Sequence, residues 1–286
     1  MRNLRIILGP TASGKTAYAA ALARELGSPV ISCDSRQIYR EMRIGTAVPP
    51  PELLAEVRHY FIQTESVTRM YTAGDYEADA VALIERLFDQ GHEELVMCGG
   101  SMFYIDAVCR GLDNFPDADP ELRASLMHAW KTEGIAPLVE RLRTLDPVTC
   151  EEIDLFNGQR VIRALEVCLM TGRPFSSFKS RTDKQRSFTI EKIGLDLPRD
   201  VLYARINART DRMLEEGLVE EVRSLLPYRD LPALQTVGYQ EIFSYLDGAV
   251  DLAEARRLIA RNTRHYAKKQ LAWWRRDSSI RWIQQT

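Results

Sequence analysis

The strongest chemical signal in the sequence is a phosphate-binding pattern at residues 9–16. The letters GPTASGKT match the pattern GxxxxGK[ST], in which backbone N–H groups, here those of 11–16, ring a phosphate. Lys15 adds a positive charge, and the Thr16 hydroxyl is a ligand for Mg²⁺. The pattern arises by chance in on the order of one chain in a hundred of this length, but here it lies between a strand-like run and a helical one. We therefore expect a phosphate site built from Gly9, Pro10, Thr11, Ala12, Ser13, Gly14, Lys15 and Thr16.

An aspartate follows the next apolar run, PVISCD, which we interpret as a strand ending at Asp34. An Asp-Ser pair after a strand is good capping chemistry, so a turn is one interpretation. The other is that the Asp34 carboxylate supports Mg²⁺ indirectly or accepts a proton from a nucleophile. Ser35, Arg36 and Gln37 follow, and Ser and Gln side chains can hydrogen-bond the edge of a base.

A nucleotide-hydrolysing machine needs a second strand that ends in an aspartate supporting the metal. The candidate strand, ELVMCGGS, ends in Gly99-Gly100-Ser101 instead, which weakens the motor and GTPase interpretations. A small-metabolite kinase stays possible. Further along the chain, Arg205 and Arg209 lie four residues apart on one helix face. They are either a cationic clamp on a diphosphate or a solvated face with acidic partners.

The order of elements predicts how these residues meet. Strand and helix patterns alternate over the first hundred residues, which predicts an α/β fold with a P-loop NTPase-like parallel sheet flanked by helices. Ligands of such sheets gather at the carboxyl ends of the strands. The segments at such ends are 9–16, 34–37 and 99–101.

From residue 115 to 187 only helical periodicity is evident, and FTIEKIGLDL (188–197) is strand-like again. We predict a catalytic core over 1–114 and 188–286, with an all-helical insertion domain over 115–187. A last short strand, SIRWIQ, is expected to close the edge of the sheet.

Bulk composition is that of a globular protein, with 45% apolar and 27% charged residues and a net charge of −2. The five cysteines have no CxxC spacing, and we expect neither a disulfide framework nor a zinc site. The start is too short an apolar run for a signal peptide, and we expect a cytoplasmic protein without a membrane partner.

The charge is unevenly distributed along the chain. Residues 255–286 contain nine basic residues and one acidic residue, and Tyr266, Trp273 and Trp274 lie among them. The pattern fits an amphipathic helix with solvated cations, or a surface for a phosphate backbone. A second basic stretch lies at 173–186, and the two together favour a nucleic-acid partner.

In combination these motifs resemble the tRNA dimethylallyltransferases, and the resemblance covers nearly the whole chain. The stretches that carry it are GPTASGKT, DSRQIY, IGTA, GGSMFYIDA, QRVIRALEV, TGRPFS, VGYQE and YAKKQLAWWR. The resemblance implies transfer of the allyl group of dimethylallyl diphosphate to N6 of adenosine 37 in tRNA. The phosphate loop would then hold a leaving group, which accounts for the missing second carboxylate.

Roles of individual residues also follow from the resemblance. Asp34 would take the amine proton, while Lys15, Arg209 and Thr16 with Mg²⁺ stabilise the diphosphate, which Arg205 also contacts. Ser101 stands where the family has threonine, and its hydroxyl would act in the catalytic site by contacting the tRNA or the leaving group. The helical insertion would bind the anticodon stem-loop of the tRNA, and we expect a monomer. Residues implied to bind tRNA are Asp34, Ser35, Arg36, Gln37, Ser101, Arg123, Gln159, Arg160, Val161, Ile162, Arg163, Lys268, Lys269 and Gln270.

The chain departs from the family pattern at three places. Val48 stands where a lysine is common, Lys269 and Ala272 stand where the family has arginine and threonine, and Ser101-Met102 replaces Thr-Gly. Three alternative functions remain at this point. They are an adenylate isopentenyltransferase acting on free AMP or ATP, a P-loop kinase of a small metabolite, and a non-catalytic RNA-binding protein.

Overall fold

The computed structural model describes residues 2–180 and 182–285. Arg181 of the basic stretch 173–186 and the terminal residues 1 and 286 lie outside the described residues. The described chain divides into two compact units, which are taken one at a time. The first comprises residues 2–111 and 185–285, and the second comprises 112–180 and 182–184.

A six-stranded parallel sheet forms the centre of the first unit, which confirms the predicted fold class. The strand order is β3-β2-β4-β1-β5-β6. The strands are β1 (Asn3–Leu8), β2 (Val30–Ser32), β3 (His59–Tyr60), β4 (Glu94–Cys98), β5 (Thr189–Asp196) and β6 (Ile280–Gln284). The short β3 was not predicted, and β2 ends two residues before Asp34 rather than at it.

Alternation along the strands explains why the sheet is covered on both faces. In β1, Leu4, Ile6 and Leu8 pack into one hydrophobic cluster, whereas Ile7 packs into another. Strand β4 alternates in the same way, with Met97 in the first cluster. Because both faces of the central strands β1 and β4 are apolar, the sheet requires helices on both sides, as parallel sheets do.

Helices of the first unit connect the strands and complete the layers. They are α1 (Lys15–Glu25), α2 (Pro51–Glu56), α3 (Ala73–Asp89), α4 (Met102–Arg110), and, after the second unit, α9 (Arg199–Glu215), α10 (Leu218–Ser224), α11 (Tyr239–Leu246) and α12 (Leu252–Trp274). Gly217, which adopts φ 99°, separates α9 from α10. Helices α2 and α11 were not predicted.

Helices alone make up the regular structure of the second unit over its described residues. They are α5 (Pro120–Glu133), α6 (Ala136–Leu145), α7 (Pro147–Glu152) and α8 (Gly158–Thr171), with a short 3₁₀ turn at Phe175–Phe178. The core of this unit is apolar and includes Leu126, Leu142 and Leu165. The buried Asp146 carboxylate caps α7 by accepting the Thr149 N–H and also accepts the Ser176 N–H.

Candidate active site

The phosphate loop joins β1 to α1 and adopts the curled backbone that anion binding requires. Gly14 (φ 88°) and Ala12 (φ 67°) both adopt left-handed backbone conformations. For Ala12 this conformation costs on the order of 1 kcal/mol or more, and such strain is typical of ligand-binding loops. Helix α1 starts at Lys15, so the first-turn N–H groups and the helix dipole favour an anion at this point.

The expected ring of amides is not complete, because two of its members already have partners. The Ser13 N–H donates to the Pro10 carbonyl over 3.2 Å, which closes a turn inside the loop. The Thr11 N–H donates to Oε1 of Gln270 over 2.9 Å. The amides at the start of α1 are therefore the main backbone donors for a phosphate.

Two cationic side chains, those of Lys15 and Arg209, lie partly buried at the phosphate loop. The Lys15 ammonium donates to the Pro10 carbonyl over 2.6 Å. Burial, together with the nearby Arg209 charge, lowers the Lys15 pKa to about 8, although the Cys98 and Asp34 side chains act in the opposite direction. Burial likewise lowers the pKa of Arg209. Positive charge crowded into such a site is stabilised when an anion binds there.

Arginines of α9 reach the phosphate loop, as one of the two interpretations of their spacing predicted. Nη1 of Arg209 donates to the Thr11 hydroxyl over 3.3 Å. A Cβ added at Gly14 would lie 3.8 Å from Nη1 of Arg205, so this side chain also borders the loop. Both guanidinium groups line the cavity in front of the phosphate loop.

Gln270 was predicted to bind tRNA, but its side chain is engaged within the protein. Its side chain is only 1% exposed. Besides accepting the Thr11 N–H, it donates from Nε2 to the Gly100 carbonyl over 2.8 Å. Glycine at position 100 leaves room for this contact, since a Cβ there would lie 2.6 Å from that nitrogen. Gln270 therefore ties the phosphate loop to the end of β4.

Asp34 lies at the carboxyl edge of the sheet and makes the turn that its sequence context predicted. Its Oδ1 accepts the N–H groups of Arg36 (2.9 Å) and Gln37 (3.2 Å). Within the described residues Oδ2 makes no hydrogen bond, so this oxygen is available to a substrate proton. The turn and the proposed base are thus compatible, because each uses a different oxygen.

Gln37 was expected to contact RNA, but its amide nitrogen is engaged elsewhere. Nε2 donates to the carbonyls of Thr46 (3.0 Å) and Ala47 (2.9 Å). Both amide hydrogens are therefore used to hold a neighbouring loop. Base-edge donation by Gln37 is excluded in this conformation, and only its oxygen remains as an acceptor.

Ser101 is the N-cap residue of α4 and is 9% exposed. Its side chain makes no capping hydrogen bond, while its N–H donates to the Cys33 carbonyl over 3.2 Å. Gly99 permits this close approach of β4 to β2, since a Cβ there would lie 2.5 Å from the Cys33 backbone. The Ser101 hydroxyl is thereby placed in the same cavity as Asp34.

Two cavities meet at this edge of the sheet. The larger one, about 750 Å³, is lined by the phosphate loop and by an apolar segment that includes Ile44, Ala47 and Val48. The smaller one, about 370 Å³, is lined by Ser35, Arg36 and Ser101 among others. The residues that border both cavities are Thr11, Asp34, Thr46, Arg209, Met213 and Tyr266. Two different molecules can therefore come into contact beside Asp34.

Several lining residues were missed in the sequence. Tyr266, Gln235 and Gln240 line the smaller cavity, and burial raises the Tyr266 pKa to about 12. The motifs IGTA and VGYQE were noticed, but no role followed from them. The glycine in each of these two motifs was the only available sign of a functional loop. It does not indicate which side chains line a cavity.

The expected RNA contacts in the helical unit differ in their exposure. Gln159 and Arg160 are exposed at the start of α8. Val161 and Ile162 are fully buried in the core, so their predicted contact with RNA is wrong. Their burial follows from helical geometry, because consecutive residues on one helix cannot all face the same partner.

Arg163 and Arg123 are half-buried around Glu166, whose side chain is fully buried. Arg163 donates to Glu166 Oε2 over 2.7 Å and to the Pro116 carbonyl over 2.7 Å. Arg123 lies 3.9 Å from the same carboxylate oxygen. Both guanidinium groups are therefore fixed in place by the helical unit itself.

The basic helix α12 is less charged toward solvent than its sequence indicated. Lys268 and Lys269 are exposed. Other basic residues at this end of the chain have polar partners: Arg256 with Asp211, Arg257 with Glu254, Arg264 with Asn207, Arg275 with Asp196, and Arg281 with Glu191. Only part of the basic run is therefore available to a polyanion.

Two other features are absent from residues 2–180 and 182–285. No group of three or more His, Cys, Asp or Glu side chains is arranged to hold a metal ion. No helix in this part of the chain has the length and apolar character needed to cross a membrane.

Comparison with known proteins gives a consistent result. The family model described as IPP transferase matches residues 37–277. A tRNA dimethylallyltransferase of Porphyromonas gingivalis is 51% identical over 281 residues, covering 98% of this chain and 93% of that protein. One from Azobacteroides pseudotrichonymphae is 48% identical, covering 99% and 92%.

A solved structure agrees with the sequence matches. The tRNA isopentenylpyrophosphate transferase of Bacillus halodurans has a TM-score of 0.72 and 37% identity. The match covers 99% of this chain and 90% of that one.

Proposed function

The chain belongs to the IPP transferase family, and on that basis we propose that it is a tRNA dimethylallyltransferase. In this proposal it moves the dimethylallyl group from dimethylallyl diphosphate to N6 of adenosine 37 in tRNA. The observation that carries the proposal is the meeting of two cavities at Asp34, Thr11 and Arg209. A hydrolase or a simple binding protein needs no second cavity at that point.

The larger cavity suits the prenyl donor because it combines the two kinds of surface that this molecule needs. The amides at the start of α1, with Lys15 and Arg209, provide positive charge for the diphosphate. Ile44, Ala47 and Val48 provide an apolar wall for the five-carbon group. As the carbon–oxygen bond breaks, negative charge grows on the diphosphate, and the same cations stabilise it.

A magnesium ion fits the oxygen donors present at the phosphate loop. Mg²⁺ is typically held by one or two protein oxygens together with substrate phosphates and water, rather than by a cage of acidic side chains. The Thr16 hydroxyl and Asp34 line the donor cavity, and no acidic cluster occurs among the described residues. We propose that Thr16 is the protein ligand. When bound, the cation would neutralise charge on the leaving diphosphate.

Asp34 is placed to accept the proton that the amine must lose. In the transfer, a bond forms between N6 of adenine and C1 of the allyl group while the bond from C1 to the diphosphate oxygen breaks. The N6 proton passes to Oδ2 of Asp34, and diphosphate departs. Two backbone N–H groups on Oδ1 hold the carboxylate in orientation.

The smaller cavity is proposed to receive the adenine. A base that reacts at its exocyclic amine must leave the stack of the anticodon loop, and a polar pocket must receive it. Ser35, Ser101 and Gln240 are among the polar side chains that line this cavity. We propose that Arg160 and Gln159 of the helical unit, with Lys268 and Lys269 of α12, contact the RNA backbone.

One assay tests this proposal against its alternatives. The protein is incubated with Mg²⁺ and labelled dimethylallyl diphosphate, together with unmodified tRNA, the same tRNA carrying guanosine at position 37, or AMP. We expect label only in the unmodified tRNA. Label in AMP would support an adenylate isopentenyltransferase, and absence of label from all three would refute prenyl transfer.

A further inference from the structure

One carboxylate in the sheet unit accepts three consecutive backbone N–H groups. Oε2 of Glu221, on α10, accepts from Arg43 (3.0 Å) and Ile44 (2.7 Å), and Oε1 accepts from Gly45 (3.0 Å). The Tyr239 hydroxyl donates to Oε1 over 2.6 Å. Hydrogen bonds to an ionised acceptor are the strong ones, and four of them converge on this side chain.

Tyr239 contributes to this arrangement through both its hydroxyl group and its ring. Its side chain is fully buried, and burial raises its pKa, so the hydroxyl stays protonated and donates. A Cβ at position 45 would lie 2.5 Å from the Tyr239 ring, so only glycine fits there. The ring of Tyr239 and the carboxylate of Glu221 thus fix the same stretch of backbone, one by contact and the other by hydrogen bonding.

The segment held in this way has a conformation that needs support. Ala47 adopts φ 51°, a left-handed conformation that is unfavourable for alanine. Its N–H donates to the Ile44 carbonyl over 2.9 Å. The Gln37 amide holds the other side through the carbonyls of residues 46 and 47. The same segment supplies the apolar wall of the larger cavity through Ile44, Ala47 and Val48.

We infer that Glu221, with Tyr239, is a positioning residue that shapes the wall against which the allyl group of the donor packs. The inference rests on the proposed function for the identity of that group. Glu221 does not line either cavity, so it acts through the backbone of residues 43–45. Loss of its charge should loosen this wall and leave the phosphate loop unchanged.

The test compares Glu221→Gln with Glu220→Gln in the full chain. Glu220 is the neighbouring residue, and its side chain is 70% exposed with Arg223 at 3.9 Å. Binding of dimethylallyl diphosphate and of inorganic diphosphate, each with Mg²⁺, is measured by calorimetry. Glutamine at 221 turns its NH₂ group toward backbone donors, so the affinity for dimethylallyl diphosphate should fall about tenfold or more. The affinity for inorganic diphosphate should stay within about twofold, because this ligand lacks the group that touches the wall.

Hydrogen exchange provides a second readout that does not depend on catalysis. The amides of 43–45 should exchange faster in Glu221→Gln than in the wild type or in Glu220→Gln, while those of α1 should not change. Tyr239→Phe removes one donor and keeps the ring, so it should show a smaller shift in the same direction. It serves as the second variant if Glu221→Gln folds poorly.

Two results would overturn the inference. One is equal weakening of both ligands, which would indicate a general loss of structure. The other is behaviour identical to Glu220→Gln in both readouts. A wild-type protein that binds dimethylallyl diphosphate but transfers nothing to tRNA would refute the proposed function. In that case the binding and exchange measurements would still decide the role of Glu221.

Discussion

The carboxyl edge of the sheet and the first turns of α8 differ in how the fold places the residues of a sequence motif. At the sheet edge, residues distant in the sequence converge: the phosphate loop, Asp34, Ser101 and Arg209 each border one or both of two adjoining cavities. In α8, the contiguous run Gln159–Arg163 is divided by the helix into exposed and buried side chains. Strand ends gather distant residues at one place, whereas a helix distributes neighbouring ones around its axis.

The largest expected effect lies at the sheet edge. Asp34→Asn keeps an oxygen for the Arg36 and Gln37 N–H groups but removes the proton acceptor. Turnover should therefore fall by about 10²–10⁴-fold, while tRNA affinity stays close to that of the wild type. Single-turnover transfer and a filter-binding assay measure the two quantities. A variant with normal turnover would remove Asp34 from the base role.

Within α8, Ile162→Ala and Arg160→Ala should separate packing from recognition. Ile162 is fully buried, so its truncation should lower the free energy of unfolding by about 2–5 kcal/mol. Arg160 is exposed, so its truncation should leave stability nearly unchanged and reduce the salt dependence of tRNA binding by about one phosphate contact. Denaturant titration and binding at several salt concentrations provide the readouts. Equal stability losses in both variants would contradict the assignment of Ile162 to the core and of Arg160 to the surface.

Two adjacent residues of α12 offer a sharper comparison. Gln270 holds the Thr11 amide and the Gly100 carbonyl, whereas Lys269 is exposed. Gln270→Ala should lower kcat/KM for dimethylallyl diphosphate about tenfold, because it releases the phosphate loop from β4. Lys269→Ala should instead weaken tRNA binding. If both variants affected tRNA binding alone, the prediction that Gln270 binds tRNA would be supported.

The smallest effect concerns an ion pair between β5 and the end of α12, outside both cavities. Burial alone would raise the Asp277 pKa, but hydrogen bonds from Lys192 and Ser279 outweigh it and lower the pKa to about 2. A carboxyl group with a lowered pKa stabilises the fold above its unfolded pKa of about 4, and the contribution is lost as pH falls through 2.

Asp277→Asn should therefore cost about 1 kcal/mol at pH 7, a figure kept small because the side chain is partly exposed. The difference from the wild type should disappear between about pH 4 and pH 2. Thermal unfolding across this range measures it, with transfer activity at pH 7 as the control. A difference that persisted at pH 2 would show that the ion pair is not its source.

Much of the architecture was accessible from the sequence because it rests on local patterns. Apolar runs bounded by glycine predicted β1 and β4, and the loss of strand patterns after residue 115 predicted the helical unit. The two-residue β3 and the short helices α2 and α11 were missed. Elements this short have too few residues to show a period, and tertiary contacts stabilise them.

The roles of side chains show the same division between what local sequence predicts and what tertiary contacts decide. Residue type and spacing alone predicted a phosphate site at 9–16 with an acid nearby, because anion binding by a loop and a helix start is local physics. The partners of Gln270, Gln37 and Glu221 depend on residues up to 259 positions away in the sequence. Only the folded chain brings such groups within hydrogen-bonding distance, and it is there that burial decides whether a polar side chain contacts a substrate or holds the backbone that does.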